Sequence, residues 1–281
     1  MIQGMAPNTK SEGLGGILVI NLDQRPERLE YFRSQALKIP ALREWQRLPA
    51  VLGIEVHGYS KPPWFRNGKR DKSWAGRAGC NLSHRKAIER ARDSGWDSVL
   101  ILEDDAVFSD HFEQAIKAVE QQSYWDLCYL GYSSAVRPYG KSIKLIENHE
   151  LVDVFGCYTT HAYILRSQTF EWLLDSLPEE GNIWPWLAKH GVIDRWYSRN
   201  VSRKFKVVAI SPGVAGQFTD FSDISQRDGG DHREAEFFKP IETYGLDDDG
   251  FRAASRITII KLIFREWLDN VRALVKKSKG F

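Results

Sequence analysis

The sequence predicts an α/β protein, on three observations. Short apolar runs at Ile17-Leu18-Val19-Ile20 and Val99-Leu100-Ile101-Leu102 have the length and composition of buried strands. Stretches with apolar residues at helical spacing alternate with them, as at Leu82, Ala87, Ile88 and Ala91 and again at Phe112, Ile116 and Val119. A chain of 281 residues that is 42% hydrophobic and 12% aromatic is long and apolar enough to build a large core.

Taken in order, residues 1–15 form a polar, glycine-rich leader, and Ile17 to Leu22 is the first strand. Asp23 can cap a helix that carries Pro26 in its first turn. Gly13 to Gly16 precede the strand instead of following it, and no Walker lysine pattern accompanies them, so they read as a linker and not a phosphate loop. Residues 53–78, with Gly53, Gly58, Pro62, Pro63, Gly68 and Gly76, read as a long loop of the kind that serves a site. A helix is predicted from about Cys80 to Ser94, ended by Gly95, with a strand over Ser98 to Leu102 after it. A helix around Phe112 to Val119, short strands at 126–130 and 158–165, and a helix from Phe170 to Leu177 stopped by Pro178 follow. Residues 219–236, polar and charged around Gly229-Gly230, read as a mobile loop.

The most informative stretch is Leu100-Ile101-Leu102-Glu103-Asp104-Asp105, where a strand ends in three consecutive carboxylates. Side chains alternate along a strand, so Glu103 and Asp105 are expected on one side and Asp104 on the other. Two same-side carboxylates at the carboxyl end of a buried strand lie where open α/β sheets hold ligands, and they repel unless a cation sits between them. Mg2+ or Mn2+ with a diphosphate is the natural occupant. The competing reading is an acidic loop at the start of the next helix.

Three motifs occur together: Ile20-Asn21-Leu22-Asp23 with Arg25 and Arg28, Gly79-Cys80-Asn81-Leu82-Ser83-His84, and Leu102-Glu103-Asp104-Asp105-Ala106. In this order and at these separations they resemble glycosyltransferase family 25, which includes lipooligosaccharide and collagen galactosyltransferases. His161-Ala162-Tyr163 with the apolar helix after it is similar to the family's middle segment. The resemblance implies a GT-A-like nucleotide-sugar-binding sheet flanked by helices, a UDP-sugar donor, a divalent metal and an inverting transfer. It makes Glu103-Asp104-Asp105 a variant of the D-x-D metal motif, with Asp105 the direct ligand and Glu103 at the metal, its bound water or the ribose.

Asn21, Asp23, Arg25 and Arg28 lie at the end of the first strand, where a nucleotide would rest in a parallel sheet; the alternative is a helix cap with exposed arginines. Arg28 falls on the family's repeating arginine. Gly79 to His84 is expected to open a helix, whose free N–H groups would let Ser83 and His84 meet diphosphate or sugar; capping or packing is the other reading. Arg77 departs from the family, whose members commonly carry Glu there. An inverting transfer needs a base for the acceptor hydroxyl, and Asp194 stands where the family places an acidic residue, with Asp153 in reserve. Asp194 could instead pair with Arg195 or Arg199. Trp184, Trp186, Trp196 and Tyr197 could stack on sugar or fill the core, and His232 could reach the metal from a closing loop.

Residues 251–281 hold four Arg and four Lys against Glu266 and Asp269, so this segment carries +6 and the first 250 residues about −4 of the formal net +2. That balance gives no reason to expect nucleic-acid binding. Ile257, Ile260, Phe264, Trp267, Leu268, Val271, Leu274 and Val275 fall on one side of a helix and the cations on the other, as on an anionic membrane surface; docking on the main domain is the alternative. Three cysteines without C-x-x-C spacing and no apolar leader point to a reducing, cytoplasmic setting, peripheral to a membrane at most. The expected organisation is a leader (1–15), a GT-A-like domain (16–250) and a basic amphipathic carboxy-terminal helix (251–281). The expected reaction moves galactose or glucose from a UDP-hexose to a hydroxyl of a glycan or lipid-linked oligosaccharide, with Mn2+ or Mg2+. A metal-dependent nucleotidyltransferase or phosphohydrolase and a non-catalytic sugar-nucleotide binder are the alternatives.

Overall fold

A computed structural model describes residues 14–65, 71–218, 240–241 and 246–279. An eight-stranded mixed sheet forms its centre, in the order β2-β1-β3-β8-β5-β9-β7-β6. Its strands are β1 (Gly16–Asn21), β2 (Gln46–Pro49), β3 (Ser98–Glu103), β5 (Leu127–Gly131), β6 (Ser134–Ile146), β7 (His149–Tyr158), β8 (Ala162–Arg166) and β9 (Val207–Ser211). Two short strands, β4 (Ala106–Phe108) and β10 (Ala215–Gln217), pair separately beside it. The helices are α1 (Pro26–Ala36), α2 (Asp71–Asp93), α3 (Phe112–Glu120), α4 (Phe170–Ser176), α5 (Ile183–His190), α6 (Ile193–Asn200) and the long α7 (Asp248–Lys279).

The apolar runs explain the layering. Alternation in β1 sends Leu18 and Ile20 into the layer that holds Ala87, Ile88 and Ala91 of α2, while Ile17 and Val19 join Phe32 and Ala36 of α1 on the opposite face. β3 repeats the division, with Val99 and Ile101 on the first side and Leu100 and Leu102 on the second. Each aliphatic side chain so buried contributes about 1.5–3 kcal/mol relative to exposure. The predicted α/β class with a sheet flanked by helices holds, and so does the carboxy-terminal helix.

The strands do not all run the same way. β1 is parallel to β2 and β3, but β8 is antiparallel to both β3 and β5. The predicted strand over 158–165 divides: Tyr158 ends β7, Thr159 takes a positive φ of 67°, and β8 begins at Ala162. The β6/β7 hairpin carries no strong apolar signal in its first strand, which is largely half-exposed, and the sequence reading does not include it.

Helix α2 also corrects the sequence reading, because it is already under way at Asp71 and turns residues 71–78 from loop to helix. Gly79, expected at the opening of the helix, lies inside it and serves a close approach. A Cβ on it would lie 2.4 Å from the Val51 carbonyl oxygen. Ser83 secures the same contact, accepting from the Val51 N–H at 2.8 Å and donating to the Gly79 carbonyl at 2.6 Å. Asp23 does not cap α1, whose N-cap is Arg25. Residues 219–236, His232 among them, lie outside the described residues. No helix among the described residues is long and apolar enough to cross a membrane.

Candidate active site

β1 and β3 run parallel and side by side, with Ile20 opposite Glu103, so Asn21 and the acidic cluster end at the same edge of the sheet. The connection from β1 goes outward to β2 on one side, and β3 lies on the other, which makes this edge a topological switch point. Because β8 is antiparallel to β3, the residues that precede it reach the same edge, and the Glu103 N–H donates to the His161 carbonyl at 2.9 Å.

Each carboxylate has its own partners. Asp104 is buried and accepts from Asn21 Nδ2 at 2.7 Å and from Arg28 at 3.3 Å. Glu103 accepts from the Thr160 hydroxyl at 3.2 Å and from His84 Nε2 at 3.3 Å, while the other His84 nitrogen lies 2.8 Å from the Tyr163 hydroxyl. Asp105 accepts from Gln217 at 3.1 Å and has Arg28 at 3.6 Å. Alternation therefore stops at Glu103, the last strand residue, since both aspartates sit in the turn after it and one guanidinium reaches both.

Their acidities diverge accordingly. Burial, then repulsion from Glu103 and Asp104, raises Asp105 to about 7 against the pull of Arg28 and Gln217. Burial also raises Asp104, partly offset by Asn21 and Arg28. Burial pushes Glu103 up too, but the His84 hydrogen bond, the charges of His84 and His161 and the Thr160 hydroxyl together hold it below its ordinary value. His161, fully buried beside Glu103, falls to about 4, chiefly through burial.

This donor set fits a hard divalent cation. Two of the three carboxylates share one guanidinium, and Asp105 is left with a like-charge excess that a cation would offset. Cys80, His84 and Glu103 also bring one ligand atom each within 4.8 Å of one another, a softer set. There, burial holds the Cys80 thiol protonated, and both His84 nitrogens already have partners.

The other candidate residues are distributed around this edge. Asn21 also donates to the Arg25 carbonyl at 2.9 Å and accepts from Arg47 at 2.8 Å; Arg47 in turn is paired with the exposed Asp23. Arg25 has its guanidinium 3.4 Å from Glu27. His84 belongs to the acidic cluster, but the expectation that Gly79 to His84 opens a helix is overturned. These residues lie in the middle of α2, where backbone N–H groups are committed to the helix, and the Ser83 hydroxyl is committed to Gly79 and Val51.

Asp194, in the first turn of α6, accepts from the backbone N–H groups of Thr159 at 3.1 Å and Arg195 at 2.6 Å. It adjoins Thr160 and His161 through Thr159, and Arg199 pairs instead with Asp269 at 3.8 Å. The reserve residue Asp153 is buried in β7 and paired with Lys206. Trp184, Trp196 and Tyr197 are buried in the core, and Trp186 donates to the Ser176 carbonyl at 3.2 Å. Sequence reasoning missed Arg47, Thr160, Tyr163 and Gln217 as site residues. Only the His161-Ala162-Tyr163 segment offered a signal.

Residues 15–150 match the family model described as glycosyltransferase family 25 (LPS biosynthesis protein). Over this range the chain is similar to glycosyltransferase family 25. The matched range contains Asn21, Arg28, His84 and all three acidic residues, and stops short of Asp194. Among curated proteins, procollagen galactosyltransferase 1 of Danio rerio is 31% identical over 192 residues, covering 62% of this chain and 30% of its own length. A glycosyltransferase 25 family member of Aedes aegypti is 28% identical over 186 residues, covering 60% and 29%. The chain thus spans less than a third of the length of these relatives. Among solved structures, A197 from STIV aligns at 13% identity and a TM-score of 0.39 over 77% of this chain and 94% of its own. The mannose-1-phosphate geranyltransferase of Thermus thermophilus aligns at 12% and 0.28, over 69% and 72%.

Proposed function

We propose that this protein is an inverting glycosyltransferase that moves a hexose, galactose or glucose, from a UDP-sugar to a hydroxyl of a glycan or lipid-linked oligosaccharide. The observation that carries the reading is the triple carboxylate at the β1/β3 switch point, with Asp105 raised to about 7. Asp105 and Glu103 would hold Mn2+ or Mg2+, which when bound neutralises charge on the departing diphosphate. Arg28 orients Asp104 and Asp105 and adds a fixed positive charge on the donor side. Asn21, Asp23, Arg25 and Arg47 form the rim that would receive the nucleoside. His84 and Thr160 keep Glu103 ionised and oriented. Asp194 is the proposed base for the acceptor hydroxyl, its carboxylate fixed in place by two backbone amides.

The name of one relative, procollagen galactosyltransferase 1, supports a galactosyl donor, and the description of the matching family model supports a role in lipopolysaccharide or other cell-surface glycan synthesis, which we place in the cytoplasm. Calorimetry with UDP in the presence of Mn2+ and in EDTA tests the donor site. Mass spectrometry of acceptor glycans incubated with UDP-galactose or UDP-glucose tests the reaction. A product heavier by one hexose supports transfer; turnover of the donor to a nucleotidyl adduct or to phosphate alone would assign the site to nucleotidyl transfer or hydrolysis.

A further inference from the structure

Helix α7 has two faces that the domain treats differently. Its inner side rests on α5 and β6, with Thr258, Ile259 and Leu262 half-buried. Its only acids beyond the first turn, Glu266 and Asp269, are also half-buried, 3.3 Å from Arg203 and 3.8 Å from Arg199. The outer side carries Ile257, Ile260, Phe264, Trp267, Val271 and Leu274, alternating in steps of three and four, with Ile263 and Val275 beside them. Such steps align residues along one face of a helix. Each of these eight side chains leaves 45–69% of its surface exposed. Monomeric domains rarely leave so continuous an apolar surface uncovered.

The flanks identify what covers it. Lys261 and Arg265 border the stripe on one edge and Arg252 and Arg256 on the other, all exposed, and no acid lies between them on the outer side. A second copy packed on this stripe would set cation against cation along both edges, the reverse of the complementary charges that pair helices. A helix docked by a mixed face that holds its acids, with an outward apolar stripe, aromatic rings in its middle and cations on both borders, matches a flat anionic surface. We propose that α7 seats the protein on anionic phospholipid bilayers, lying in the interface with Phe264 and Trp267 inserted and the cations at headgroup level. This differs from the simple two-faced helix of the sequence pattern, because the acids are withdrawn against the domain and the cations border the stripe instead of opposing it. The inference stands on the helix alone and does not depend on glycosyl transfer.

The test is cosedimentation of the full chain with phosphatidylcholine vesicles and with vesicles containing 30% phosphatidylglycerol, at low and high salt. Binding is expected only to the anionic vesicles, and weaker at high salt. Replacing Arg256, Lys261 and Arg265 together by Gln should weaken partitioning about 100-fold, each cation near the surface counting for roughly fivefold. Phe264→Ser with Trp267→Ser should release the protein at both salt concentrations. Both variants change exposed residues only, and an unchanged melting temperature checks that the fold is intact. If the intact chain stays in solution with anionic vesicles at low salt, the proposal fails. A concentration-dependent dimer without vesicle binding would equally overturn it and assign the stripe to a second copy.

Discussion

Replacing Asp105 by Asn should stabilise the metal-free protein, and the pH dependence of that gain is the informative part. In the folded chain burial and the charges of Glu103 and Asp104 raise this carboxyl from 3.8 to about 7. Below pH 4 it is protonated folded and unfolded, and costs nothing. Between pH 4 and 7 the unfolded chain releases a proton that the folded chain keeps, so stability falls as pH rises; above 7 the penalty is complete. A shift of about three units corresponds to a ceiling of about 4 kcal/mol, at about 1.4 kcal/mol per unit. Asn keeps the size of the group, so in EDTA Asp105→Asn should match the wild type near pH 4 and melt several degrees above it at pH 8. Adding Mn2+ at pH 8 should raise the wild-type melting temperature and leave the variant unmoved, since only a ligand that binds the folded state stabilises it. A variant that melts at or below the wild type at pH 8 in EDTA would refute the electrostatic reasoning, and an equal response of both proteins to Mn2+ would remove Asp105 from the metal site.

Arg28→Ala removes the guanidinium that Asp104 and Asp105 share and should destabilise the fold by about 3 kcal/mol at pH 8 and less at pH 5, read from urea midpoints at the two pH values. Asp194→Asn should lower turnover about 100-fold while calorimetric UDP affinity stays within about twofold, because proton removal matters only in the transition state; loss of folding instead would make its bonds to the Thr159 and Arg195 amides purely structural. Gly79→Ala should cost about 1–2 kcal/mol in thermal unfolding despite alanine's better helix propensity, since its Cβ would meet the Val51 carbonyl.

What the sequence revealed was local. The apolar runs of β1 and β3 and the acidic turn after Leu102 are contiguous stretches whose meaning does not depend on the rest of the chain. Arg47, Thr160 and Gln217 join the site through pairings 26, 57 and 112 residues apart, and only Thr160, next to the His161-Ala162-Tyr163 segment, has a neighbourhood that announces it. The same limit misplaced the start of α2. Gly76 and Gly79 count as helix breakers by propensity, yet a loop that must approach the helix within backbone contact selects glycine at Gly79, and tertiary packing overrides the local preference.

The three carboxylates show why composition located the site but alternation could not sort it. Glu103 is the last residue of its strand and receives His84 from α2 and Thr160 from the approach to β8, enough to hold it ionised. Asp104 takes Asn21 and the nearer bond from Arg28. Asp105 is left with Gln217 and the more distant reach of the same guanidinium, while the other two repel it. Those assignments come from the parallel pairing of β1 with β3 and the antiparallel entry of β8, which decide the neighbours each carboxylate meets. Asp105 is therefore the member with the largest uncompensated burial, and the residue that gains most from a divalent cation.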